Sequence, residues 1–171
     1  RVHRFGAFSP VFRSHAEFPL REVYNLAEPE SDLYDAFAAQ MRLRYRLMPY
    51  IYTLAGDTWH KDATIMRALA MDFPQDVRAR DINDQYLFGS AIMVAPAHEY
   101  RRRERAVYFP TGADWYDFYS GRKFAGGSEA AVEAPLERIP LFVRAGSILP
   151  TGPEIQHTAE KLDGPVTLTV Y

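Results

Sequence analysis

The stretch Phe5-Gly-Ala-Phe-Ser-Pro-Val-Phe-Arg-Ser-His15 decides how the rest of the chain is read. It is dominated by apolar and aromatic side chains from Phe5 to Phe12 and then closes on a guanidinium, a hydroxyl and an imidazole. Such a run predicts a buried strand whose last residues meet a polar environment. Two readings compete for it. In one, Arg13 and His15 end a core strand and simply meet solvent or a buried partner. In the other, the strand belongs to a (β/α)8 barrel and delivers these side chains to the carboxyl-terminal face, where such barrels build their active sites.

Working outward, residues 16–30 carry Pro19, Pro29 and no helical or strand period, which predicts a loop. A helix is expected from Ser31 or Asp32, either of which can cap the first-turn amides. Tyr34, Phe37, Met41, Tyr45, Met48, Tyr52 and Ala55 follow at spacings of three and four and form one apolar stripe, which Leu47, Ile51 and Leu54 widen as expected for a helix packed on a sheet. Arg42 and Arg46 share another face. Pro49 predicts a kink about a turn earlier, and Gly56-Asp57 predicts the end of the helix. Beyond residue 63 the period changes. Strands are expected at 65–73, 91–95, 106–109, 115–119, 131–133 and 141–144, separated by Gly and Pro turns at sandwich spacing. The final residues Val166-Thr-Leu-Thr-Val-Tyr171 alternate like another strand. Helix and strand thus come first and a small antiparallel sheet second, with a domain boundary near residue 63.

The composition is that of an ordinary globular chain: 171 residues, 47% apolar, 25% charged, formal charge −2. That charge argues against an extended nucleic-acid surface, and Arg101-Arg-Arg-Glu-Arg105 reads as a solvated loop or hairpin. There is no cysteine, which excludes disulfides, thiolate metal sites and a Cys nucleophile. No apolar segment approaches the length of a membrane span. The chain starts without Met and stops inside a strand pattern, so a piece of something longer is expected.

No chemistry is complete on motifs alone. Glu17 and Glu22 flank the loop after His15 and read as solvated carboxylates. Asp81 and Asp84 bracket a turn and read as turn residues. Trp115-Tyr-Asp-Phe-Tyr119 is dense in rings that stack on sugars, but strand alternation favours core packing. The five histidines, His3, His15, His60, His98 and His157, include no metal-ligand spacing, so neither a metal nor a cofactor is expected.

The residues in this order resemble the carboxyl-side part of glycoside hydrolase family 31, the α-glucosidase and α-xylosidase family. The resemblance runs through the opening stretch, Leu43-Arg-Tyr-Arg-Leu-Met-Pro-Tyr-Ile-Tyr52, Ile65-Met-Arg67 and Asp72-Phe-Pro74. It continues through Asp84-Gln-Tyr-Leu-Phe-Gly89, Val94-Ala-Pro96, Trp115-Tyr-Asp-Phe118 with Gly121, and Ile139-Pro-Leu-Phe-Val-Arg-Ala-Gly-Ser-Ile-Leu-Pro150.

The resemblance implies an α+β chain: the last strand and helix of a (β/α)8 barrel over 1–63, a proximal antiparallel β-sandwich over 64–150 and the start of a distal sandwich over 151–171. It implies a retaining α-glycosidase acting on an α-linked oligosaccharide or α-xyloside, with the rest of the barrel as structural partner and no nucleic acid or membrane. The family's catalytic aspartates lie on earlier strands, and neither of their motifs occurs here. His15 matches the family histidine that binds sugar hydroxyls in the −1 subsite. Arg13 is placed beside it as a charge orienting the site. The family commonly has Gly after this histidine, where Ala16 stands. Arg21-Glu-Val-Tyr-Asn25 and Gly152-Pro-Glu-Ile-Gln-His-Thr-Ala-Glu-Lys161 look more like the α-xylosidase branch than the α-glucosidase branch. A reading from another class is a non-catalytic β-sandwich module that binds carbohydrate or a partner through exposed aromatics. It requires Trp115 and its neighbours to offer a flat platform to solvent.

Overall fold

The computed structural model describes residues 5–15, 17–99, 102–160 and 164–171. His3, Ala16, Arg101 and Lys161, used in the reading above, lie outside them.

Helix α1 (Val23–Leu26) is a single turn inside the segment expected to be loop. Helix α2 (Asp32–Arg46) starts where its cap residue predicts, with the Ser31 hydroxyl accepting from Tyr34 N at 3.3 Å. Where a kink was expected, the helix divides. Leu47 closes α2 and opens α3 (Met48–Lys61), so Pro49 falls in the first turn of a new helix, where its missing N–H leaves no bond unmade. The inward face here follows the widened edge of the expected stripe, through Leu47 and Leu54, and adds Tyr50. Leu47, Tyr50 and Leu54 are buried, whereas Tyr52, about 200° round the helix from Tyr50, is 80% exposed. Nor does Gly56 stop α3. The helix runs on to Lys61, supported by the Lys61–Asp57 ion pair, and ends on Asp62 in the left-handed conformation.

The remainder is antiparallel. Strands β1 (Met66–Ala68), β2 (Tyr86–Phe88), β3 (Ile92–Val94), β8 (Leu141–Arg144), β5 (Trp115–Asp117) and β6 (Lys123–Phe124) form one six-stranded sheet in that order. β4 (Glu104–Tyr108) pairs with β7 (Glu129–Glu133), and β9 (Ile148–Thr151) with β10 (Thr167–Val170). The expected strand over 65–73 is shorter: β1 gives way to a helical turn, α4 (Leu69–Asp72), closed by an Arg67–Asp72 ion pair of 2.6 Å. Helix α5 (Val77–Asp81) follows, capped by Asp76.

The six-stranded sheet is covered on both faces, so β3 reads as an unbroken apolar run. Alternate residues sort between two cores. Phe88, Ile92, Val94, Leu141 and Val143 pack with Leu47, Tyr50 and Leu54 of the helices and with Ala7 and Phe8. Leu87, Met93 and Phe142 pack with Val107, Phe109, Trp115 and Phe124 in the second core, which also takes in Ala130 and Val132 of β7. Trp115 has no exposed surface and donates its indole N–H to Pro110 O at 3.2 Å. Its burial rejects the flat aromatic platform that a carbohydrate module would need there. Arg105 is a correction as well. The last member of the basic run is not solvated: its side chain is only 9% exposed and pairs with Asp84.

Candidate functional site

The opening stretch is held by its carbonyls rather than by a strand ladder. Phe5 and Gly6 are helical, Phe8 N donates to Phe5 O at 3.0 Å and Ser9 N to Gly6 O at 3.2 Å, and residues 11–15 carry no regular element. The predicted strand is therefore corrected. The bonds three residues back make residues 5–9 a turn, and it buries both Ala7 and Phe8. Val11, expected inside, is 74% exposed.

Two side chains from elsewhere fix this turn. Arg44 of α2 donates to Ala7 O at 2.7 Å, Ser9 O at 2.8 Å and Pro10 O at 3.2 Å. Burial pulls its guanidinium below the ordinary value, and the three carbonyls supply the hydrogen bonds that burial takes away. Tyr86 of β2 donates its hydroxyl to Phe8 O at 2.9 Å. Arg44 was missed in the sequence, yet a signal is present. It lies seven residues after Phe37 and four after Gln40, both buried, so it is a charge on the inward stripe of an amphipathic helix.

From that anchored turn the chain reaches Arg13 and His15, which the structure brings together. Arg13 Nη2 lies 2.8 Å from His15 Nδ1. A guanidinium has no acceptor, so in this contact Nδ1 accepts and Nε2 carries the proton. His15 thus offers an N–H donor to whatever lies beyond it. Both line a cavity of about 430 Å³ with Phe5, Phe12 and Arg21. Ser14 Oγ donates to Arg21 O at 2.7 Å and ties the following loop back to the wall. Glu17 and Glu22 do not line the cavity. Two guanidiniums and an imidazole donor against aromatic walls suit a ligand rich in oxygen acceptors. Among the described residues that line the cavity there is no carboxylate, and His15 is the one histidine. Among the described residues, no group of three or more His, Cys, Asp or Glu is arranged to hold a metal ion, and no helix is long and apolar enough to cross a membrane.

Residues 62–149 match the glycosyl hydrolase family 31 C-terminal domain, and residues 1–54 match the family 31 TIM-barrel domain. The chain belongs to glycosyl hydrolase family 31. Its family 31 relatives include an alpha-xylosidase of Saccharolobus solfataricus, 36% identical over all of this chain and 23% of that protein. An alpha-glucosidase 2 of Bacillus thermoamyloliquefaciens is 30% identical over all of this chain and 21% of its own length. The crystal structure of a family 31 alpha-xylosidase from Xanthomonas citri superposes with a TM-score of 0.94, at 50% identity, over 99% of this chain and 18% of that one. The chain therefore spans less than a quarter of each relative. The α+β architecture of helices followed by an antiparallel sandwich is that of a family 31 barrel end and its β-sandwich.

Proposed function

We propose that this chain is the part of a retaining α-glycosidase, an α-xylosidase in preference to an α-glucosidase, that completes the sugar subsite and buttresses the barrel. The observation that carries this reading is the similarity to two alpha-xylosidases along essentially the whole chain, the stronger of them at 50% identity. The Arg21–Asn25 and Gly152–Lys161 segments support the same branch.

In this reading residues 1–63 end the barrel, 64–150 form the proximal sandwich and 151–171 open a distal one. His15 donates from Nε2 to a hydroxyl of the −1 sugar, and Arg13 holds the ring by its other nitrogen. A hydrogen bond to a sugar hydroxyl strengthens as the ring flattens toward an oxocarbenium-like state, so it lowers the barrier as well as binding the substrate. The double displacement itself needs two carboxylates, one forming a glycosyl-enzyme and one passing the proton. This chain supplies neither.

The test is to assay the intact enzyme that carries this chain on matched aryl α-xyloside and aryl α-glucoside. The expected result is a kcat/KM at least about tenfold higher on the xyloside, because a pocket shaped for a pentose excludes the extra hydroxymethyl group. The reverse order assigns an α-glucosidase, which the Bacillus relative favours. No cleavage of either substrate rejects the reading.

A further inference from the structure

A second cavity, separate in its polar groups from the one at His15, opens between the N-terminal turn and the β2–β3 hairpin. It has a volume of about 520 Å³ and is walled by Phe5, Tyr86, Pro96 and Ala97, with Asn83, Asp84 and His98 as its polar members. Clefts of roughly 300–1,000 Å³ with apolar walls and a few convergent polar groups are the usual form of a small-molecule site. A smaller cavity of about 280 Å³ shares Asp84, Ala97 and His98 and lengthens the cleft.

The cleft is built rather than incidental. Arg105, with a side chain only 9% exposed, donates to Asp84 Oδ2 at 2.7 Å, to Asp84 O at 2.9 Å and to Pro96 O at 2.7 Å. One buried guanidinium therefore joins the two chain segments that face each other across the cavity. The Phe5 and Tyr86 rings meet edge to face at 5.6 Å, and the Tyr86 hydroxyl is anchored on Phe8 O, so the aromatic corner is fixed as well.

The geometry points to a neutral sugar as the occupant. Arg105 satisfies one oxygen of Asp84 and cancels its charge, which removes the attraction for a cationic ligand. Among the described residues nothing donates to Asp84 Oδ1, and the Asn83 side chain makes no hydrogen bond. The cleft thus presents a carboxylate acceptor and an amide beside an aromatic and proline wall. A sugar ring matches both halves, with hydroxyls on its edge and C–H groups on its face. The choice of sugar over other neutral amphiphiles rests on the α-glycosidase reading above.

The experiment titrates the intact enzyme that carries this chain with D-xylose and with D-glucose, reading the amide shifts of residues 83–86, 97 and 98 by NMR. Saturable shifts there with at least one sugar are expected. Ala97→Trp, which fills the cavity, should abolish them. Asn83→Ala, an exposed position, should keep the melting temperature and weaken binding roughly threefold to tenfold, the loss of one neutral hydrogen bond. His15→Ala should leave the titration unchanged. Lack of a saturable response to both sugars overturns the proposal. So does wild-type affinity in a folded Asn83→Ala, or binding that survives Ala97→Trp and is lost in His15→Ala, which would put the sugar in the other cavity. A failed glycoside assay with binding retained here would reject the glycosidase reading and leave this site standing.

Discussion

His15 contributes one donor whose direction is set by a neighbour that cannot accept. Replacing it by Ala in the intact enzyme should lower kcat/KM roughly tenfold or more, the cost of a hydrogen bond made best in the transition state, with melting unchanged because the residue is exposed. An unchanged kcat/KM removes His15 from the site. Arg44 acts at one remove. Arg44→Met keeps the aliphatic stem but removes the guanidinium that lies over the Phe12 ring and strands three carbonyls, so a loss of about 2–3 kcal/mol in urea unfolding is expected. A variant as stable as the parent would show that the turn from Phe5 to Pro10 does not depend on this guanidinium. Neither residue was equally legible in the sequence. Arg44 left a trace, a charge on an apolar stripe. His15 left none beyond an Arg-x-His that fits many strand ends, and only the family resemblance singled it out.

The seam between helix α3 and the β2–β3 turn is closed at two points. The Tyr50 hydroxyl donates to Phe88 O at 2.7 Å and accepts from Ala91 N at 3.2 Å, and burial pushes its pKa up to about 12. Gly89 sits between, at φ +67, and a Cβ there would overlap the Tyr50 hydroxyl and the Leu54 side chain. Gly89→Ala should therefore cost about 3 kcal/mol, from left-handed backbone strain plus overpacking. Gly56→Ala, in mid-helix with nothing within 4 Å, should instead stabilise by about 0.5–1 kcal/mol. Thermal melts of the two variants test the pair, and equal shifts would sink the argument. The legibility of the elements follows the same physics. Strand β8 was read to the residue because Leu141–Arg144 is an apolar run bounded by Pro140 and Gly146. Strands β6 and β9 escaped, being two residues long and proline-bearing respectively. The opening stretch misled because an apolar run of that length looks the same in a strand and in a buried turn; what separates them is the pairing partner, which composition does not carry.

Among the described residues two cores share one sheet, and a single carboxylate, Asp76, ties together elements beside the second. Asp76 Oδ1 caps α5 through Arg78 N and Ala79 N, both at 3.1 Å. Its Oδ2 accepts from the Tyr108 hydroxyl at 2.9 Å, Thr111 N at 2.8 Å and Thr111 Oγ1 at 3.0 Å, so α5, β4 and the loop after it meet on one group. Burial by itself would raise this carboxyl. The hydrogen bonds from Thr111, Ala79 and Tyr108 outweigh burial and hold it at about 2, below the ordinary 3.8. A folded-state pKa below the unfolded one means that the stabilisation is fully present above the unfolded value and is lost as pH falls through the folded one. Global stability should therefore decline between about pH 4 and pH 2. Asp76→Asn, which turns an amide N–H toward donors, should cost about 2–3 kcal/mol at neutral pH and flatten that decline. Urea midpoints of both proteins across this range decide the matter. The gap between them should narrow as the wild-type carboxylate protonates, and a gap that stays constant down to pH 2 would show that this junction does not set the acid limit of the fold.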